Sequence, residues 1–352
     1  MNLDNLSRRR LLQASGAVAA TAVAGCSDLT GNGGNNGNGG SLPGYQQYLS
    51  TSDDEVFFAY ADFEGLEQFE DGESDSGGGN MEDINEPLLA APLGGIFLLA
   101  VSAGFTLAPA GLGGLIDTQN ESDLESEGNQ VLVVNGTTVV VGDLNTDEIG
   151  TTLTEEPADD NFFGVQYEES GELGEYTLYT PVDGDSSVFA VGEGELLAAQ
   201  EQSGIESVVD AIGGDGRATD EFDEFEWLLE TAGDGLVAFG GYGPDGFESP
   251  EGSAGGDGGG GGGSQTPDPE QELGKVGDAN GLVSSLSFTD SSVDAVLAAS
   301  FEELNDSQQE TIETEFESDR TDVSLSFDGG RLTAEATYEQ ETLENAGTGT
   351  TA

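Results

Sequence analysis

Seventy of the chain's 352 residues are Asp or Glu, seven are Lys or Arg and none is His, a formal charge of −63 at pH 7. In dilute buffer that many like charges oppose any compact state. At about 1 M salt the Debye length falls to roughly 3 Å, and most of the repulsion is screened. The composition therefore selects brine as the working solvent. An acidic disordered chain fits poorly, because 35 % of the residues are hydrophobic and many alternate with polar ones in strand-like runs. With no basic patch, nucleic acid is excluded as a partner. The missing histidine removes Ser-His-Asp triads, imidazole general bases and His metal sites together. One cysteine excludes an internal disulfide framework and a Cys-rich metal site.

That cysteine stands at a telling place. Ser7-Arg8-Arg9-Arg10-Leu11-Leu12 precedes a small-residue apolar run, Ala14 to Val23, which closes on Val23-Ala24-Gly25-Cys26. Arg8 and Arg9 match a twin-arginine export signal, and Val23, Ala24 and Gly25 before Cys26 match a lipobox. The apolar run is shorter than the ~20 residues a spanning helix needs, so a cleaved signal fits better than an anchor. Cleavage before Cys26 would free its thiol to carry lipid, each buried CH₂ adding roughly 0.8 kcal/mol of membrane affinity. An ordinary signal peptide in which Cys26 is incidental is the alternative. Removal of residues 1–25 takes away three arginines and Asp4, leaving 69 acids, the four bases Arg217, Lys275, Arg320 and Arg331, and a net charge of −65.

The signal, the lipobox, the polar Gly/Asn spacer and the extreme acidity resemble exported lipoproteins of halophilic archaea. Gly142 to Ile149, Glu175 to Tyr179 and Val188 to Gly194 look like segments common in uncharacterised members of that group. The resemblance implies a lipid-anchored location at the extracellular face of the cell membrane. It transfers no catalytic residue and no cofactor.

Along the chain, residues 1–25 read as signal and 26–50 as the lipid-bearing Cys26 with a flexible spacer. A coil of that kind, Ser27 to Gly44, reaches on the order of 24 Å. Residues 51–245 read as an α+β domain, 246–272 as a Gly/Pro/Ser-rich linker, 273–340 as a ββαββ module and 341–352 as a disordered tail. The expected class is α+β, mainly antiparallel sheet with helices on one face. Val131 to Val134, Asn135-Gly136 and Thr137 to Val141 form the strongest hairpin signal. A short helix is predicted from about Thr146 to Leu153, capped by Asn145 or Thr146. Strands are predicted near Phe162–Tyr167, Tyr176–Thr180, Val188–Val191, Glu195–Ala198 and Leu236–Phe239, and helices over Ile205–Ile212 and Glu221–Thr231. Hairpin, helix and two strands recur in the C-terminal module, which suggests a ββαββ duplication.

Within the first domain, 88–116 holds 29 residues without a charge. Three readings stay open: a transmembrane helix, a hairpin that dips into the bilayer or meets a partner, and an apolar helical pair buried against the sheet. Asp143 to Asp147 has the oxygen spacing of a calcium loop but lacks its Gly and terminal Glu, so a helix cap explains it better. Trp227, on an amphipathic stretch, is expected in the core. Asn120 and Asn305 head glycosylation sequons; Asn135 heads one too, but its turn accounts for it. No metal or cofactor site is predicted. The functional expectation is a membrane-tethered lipoprotein with a non-catalytic binding or structural role. The alternatives are the substrate-binding component of a transporter, which predicts two lobes around a cleft, and a carboxylate-based hydrolase, which predicts buried acids lining a pocket.

Overall fold

Strongly β-branched runs with no polar alternation, such as Val131 to Val134, bury both sides of a strand, and that dictates the architecture. The computed structural model describes residues 42–67, 87–116, 124–157, 164–184, 186–243, 276, 279–289, 291–316 and 323–339. The export signal with Arg8, Arg9 and Val23–Cys26, the sequon at Asn120, the linker 246–272 and the tail 341–352 lie outside the described residues. Twelve antiparallel strands form one sheet: β1 (Val56–Asp62), β2 (Glu127–Val134), β3 (Thr137–Asp143), β4 (Tyr167–Leu173), β5 (Tyr176–Pro181), β6 (Val188–Gly192), β7 (Glu195–Ala199), β8 (Val237–Tyr242), β9 (Gly281–Phe288), β10 (Ser292–Ser300), β11 (Ser324–Asp328) and β12 (Arg331–Glu339). Their spatial order is β11-β12-β10-β9-β8-β1-β2-β3-β7-β6-β5-β4.

The α+β class stands, but the helices, expected on one face, divide between both. On one face Ala59, Val131, Val133 and Phe239 pack with α2 (Pro87–Leu107), α3 (Thr146–Thr154) and α7 (Asp306–Phe316). On the other, Phe58, Leu132, Val134 and Ala238 pack with α4 (Gln202–Gly213), α6 (Asp223–Ala232) and the 3₁₀ turn Gly44–Tyr48. Two further helices are short, α1 (Phe63–Glu67) and α5 (Ala218–Glu221). The body begins earlier than residue 51, because Tyr45, Tyr48 and Leu49 are buried in the second face. The linker does not separate two sheets: β8 and β9, which flank it, are hydrogen-bonded neighbours from Val237↔Leu286 to Tyr242↔Gly281.

A related order of strands recurs in the two halves of the sheet, without the same pairings. Outward from the centre, one half reads β8-β9-β10-β12-β11 and the other β1-β2-β3, then β7-β6, then β5-β4. The second half carries the β6–β7 hairpin as an insertion. Both connecting helices, α3 through Ile149 and Leu153 and α7 through Ile312 and Phe316, bury into the same face.

Local chemistry explains the boundaries. Asn135 (φ +46°) and Gly136 (φ +80°) make the two-residue left-handed turn that the twist of β2–β3 requires. Asn135 also ties that turn to β1: its Oδ1 accepts from Phe57 N at 2.9 Å and its Nδ2 donates to Ser50 O at 2.8 Å. Asn145 caps α3 by accepting from the backbone N–H of Asp147 and Glu148. Asn305, the exposed sequon residue, caps α7 in the same way, and Gln308 reaches back to its N–H at 3.0 Å.

Three expectations are corrected. The strand expected at Phe162–Tyr167 starts at Tyr167 instead, and its exposed run Glu168–Glu172 is the sheet's edge, where no core imposes alternation. The helix expected from Glu221 breaks at Phe222, whose extended backbone (φ −126°, ψ 102°) divides α5 from α6. Trp227 is half-buried at the rim rather than in the core. The Arg331 guanidinium lies 4.5 Å over its ring and grips Glu224 in a fork, Nε and Nη2 donating at 3.0 and 2.8 Å.

Glu148 gives a pH prediction. Its carboxylate accepts from Ser126 Oγ at 2.6 Å, Ser126 N at 2.9 Å and Glu125 N at 2.7 Å. These bonds, the Ser126 hydroxyl first, hold its pKa below the ordinary 4.5. A depressed folded pKa stabilises above the unfolded value and is lost as pH falls through the folded one. Glu148→Gln is therefore expected to lower the melting temperature at pH 7, and the gap to the parent is expected to close as the pH drops below about 4. Paired melts across that range check it.

Candidate functional site

α2 dominates the site. Over 88–116, left open between a spanning helix, a dipping hairpin and a buried helical pair, the chain forms one 21-residue helix, Pro87–Leu107, followed by the 3₁₀ turns Ala108–Ala110 and Gly113–Leu115. Gly111, at φ +76°, reverses the chain and lets Leu112 N–H donate to Leu107 O at 3.0 Å. The helix is long and apolar enough to cross a membrane by length and composition, yet Leu88, Ala91, Leu99, Ala103 and Leu107 are buried in the core beneath it. At Gly95 its backbone closes onto Phe239: a Cβ there would lie 2.7 Å from Phe239 Cβ.

The C-terminal half of α2 walls a groove of about 1010 Å³ at one end of the sheet. Leu98, Val101 and Phe105 form an apolar side with Phe57, Ala59 and Val133. Hydroxyl and amide groups come from separate loops: Ser50 to Ser52, the Asn135-Gly136 turn and Thr137, then Gln200, Ser203 and Ser207 leading into α4. Asp53 (φ +52°) and Asp54 (φ +63°) turn the first loop, which the Ser52–Glu55 backbone pair closes at 2.8 and 3.0 Å. Asp53, Glu55 and Glu201 are exposed, and no Lys or Arg lines the groove. Its chemistry suits a neutral or cationic amphiphile and offers an anion no partner.

The half-buried Glu195 lies elsewhere, on the second face. Tyr48 Oη donates to one of its oxygens at 2.8 Å and Tyr176 Oη to the other. Burial and then the neighbouring carboxylate push the Tyr48 phenol far above its usual 10. Two phenols leave this carboxylate clamping the Gly44–Tyr48 turn onto β7 rather than facing a substrate. Among the described residues no three Asp or Glu side chains gather as a metal ion would need.

The groove escaped sequence reasoning because five separated segments build it. Of the sequence-derived sites, Asn305 is the one described, and its side chain serves the α7 cap. No family model matches the chain, and no curated protein matches it. Among solved structures it is similar to TP0453 in crystal form III (TM-score 0.41, 10 % identity, 87 % of this chain and 98 % of that one). Forms I and IV are alike, at TM-score 0.40, with 10 % and 11 % identity and coverage of 97 % and 96 % of those chains. A superposition this loose transfers neither residues nor activity.

Proposed function

We propose that this is an exported lipoprotein of the halophilic type, lipid-anchored through Cys26 at the outer face of the membrane, whose body binds a ligand without chemistry. The groove carries the reading: one apolar wall, a rim of hydroxyls and amides, and acids that stand in solvent. Recognition needs that lining; hydrolysis through carboxylates needs buried, convergent acids, and the half-buried Glu195 already accepts from two phenols. The unbroken sheet favours a single body over the two lobes of a transporter's binding component.

Two measurements test it. Mass analysis of the mature N-terminus is expected to find lipid on Cys26 and none in Cys26→Ser. A thermal-shift screen of neutral and cationic amphiphiles, run at multimolar salt, is expected to raise the melting temperature of the parent. Ser207→Trp, which fills the groove from exposed α4, is expected to abolish that shift. An equal shift in Ser207→Trp would reject the groove.

A further inference from the structure

We infer that the outward face of α2 is a second membrane contact, lying flat on the lipid surface beside the Cys26 anchor. The inference rests on the anchored reading and adds to it a protein surface. A surface helix ordinarily turns a polar side to water. Here Phe97, Ala100, Val101, Gly104, Phe105 and Ala108 face outward with no polar side chain among them, Phe97 39 % and Phe105 79 % exposed. The opposite arc, Ala91, Gly95, Leu99, Ala103 and Leu107, recurs every fourth residue and is buried. The helix carries no charge, in a chain where one residue in five is acidic, and its two hydroxyls, Ser102 and Thr106, are half-buried toward the groove.

The tether says what covers that face. Fifteen residues separate Cys26 from Leu42, a length that spans at most about 50 Å. The chain enters the body at Tyr45 to Leu49, on the second face, and then passes through Ser50 to Asp53, which line the same groove as Phe105. A lipid on Cys26 therefore holds the bilayer within reach of the exposed arc. One acyl chain binds a membrane only marginally, so a second contact converts a reversible anchor into a stable one. The buried arc fixes the orientation: spanning would strip Leu99 and Leu107 from the core, whereas lying in the plane uses only what the sheet leaves open.

The test takes the full chain with Cys26→Ser, so that no acyl chain contributes, and floats it with phosphatidylcholine vesicles in multimolar KCl. The parent is expected to rise with the vesicles. Phe97→Ser with Phe105→Ser is expected to weaken partition about a hundredfold, roughly tenfold for each ring. Phe105→Leu is expected to keep it and Phe105→Ser alone to weaken it about tenfold, both melting with the parent because the Phe105 ring is 79 % exposed. A parent that stays in the dense fraction, or a double variant that floats equally well, overturns the inference. So does a vesicle-free dimer that the double variant dissolves while flotation is unchanged, since the face is then a seam between two copies. Lipid found on Cys26 with no flotation removes this inference and leaves the anchor; flotation without lipid on Cys26 does the reverse.

Discussion

In low-salt buffer the purified protein is expected to be unfolded at temperatures where multimolar KCl keeps it native. The loss should show as collapse of the strand signal in circular dichroism and a red shift of Trp227, its one tryptophan. With residues 1–25 removed, four bases face 69 acids, so at most a handful of carboxylates can be neutralised by partners such as the Arg331–Glu224 pair. The rest repel across a Debye length of about 10 Å at 0.1 M salt and hardly at all across the roughly 3 Å of molar salt. Salt also strengthens apolar burial, and so does sucrose, which carries no charge. A stability gain from KCl that sucrose cannot reproduce assigns the effect to screening. Equal melting in dilute buffer and in brine would sink it.

Turns and caps were legible in the sequence because each depends on a residue's own backbone chemistry. Asn135-Gly136 closes its hairpin where φ must be positive, and Asn145 caps where an orphan N–H needs an oxygen. What long-range packing decides was not. Val131 to Val134 is apolar on both sides, which already signals a sheet covered on both faces, yet nothing local says that α4 and α6 cover one and α2 the other. β4 hid because an edge strand carries Glu168 and Glu169 without cost. The groove was invisible because Ser50, Val101, Asn135 and Ser207 meet only after the sheet has formed. The charge-free stretch could be seen, but its apolarity has no period, so which side would be exposed was undetermined until Phe239 fixed the seat.

That seat can be tested through a change of sign. Phe239 is fully buried, meets Phe57 edge-on at 5.4 Å between ring centres, and lies under Gly95. Phe239→Ala is expected to cost about 3–5 kcal/mol, the transfer loss of the ring plus the cavity it leaves. Gly95→Ala alone brings a Cβ to 2.7, 2.9 and 3.1 Å from Phe239 Cβ, Cδ2 and Cγ. Overpacking of that kind costs about 1–3 kcal/mol against a helix-propensity gain of at most ~1 kcal/mol, so the single variant should melt lower than the parent. In the Phe239→Ala background two of those three atoms are gone and a void lies beside them. The remaining Cβ, at 2.7 Å, still has to move out to ordinary contact near 3.4 Å, which the void beside it allows, so the propensity gain survives and part of the cavity is filled. Gly95→Ala is therefore expected to stabilise the truncated protein while destabilising the parent. Chemical unfolding of all four proteins at one salt concentration measures this coupling. If Gly95→Ala changes stability equally in both backgrounds, α2 does not rest on Phe239, and its buried arc needs another partner.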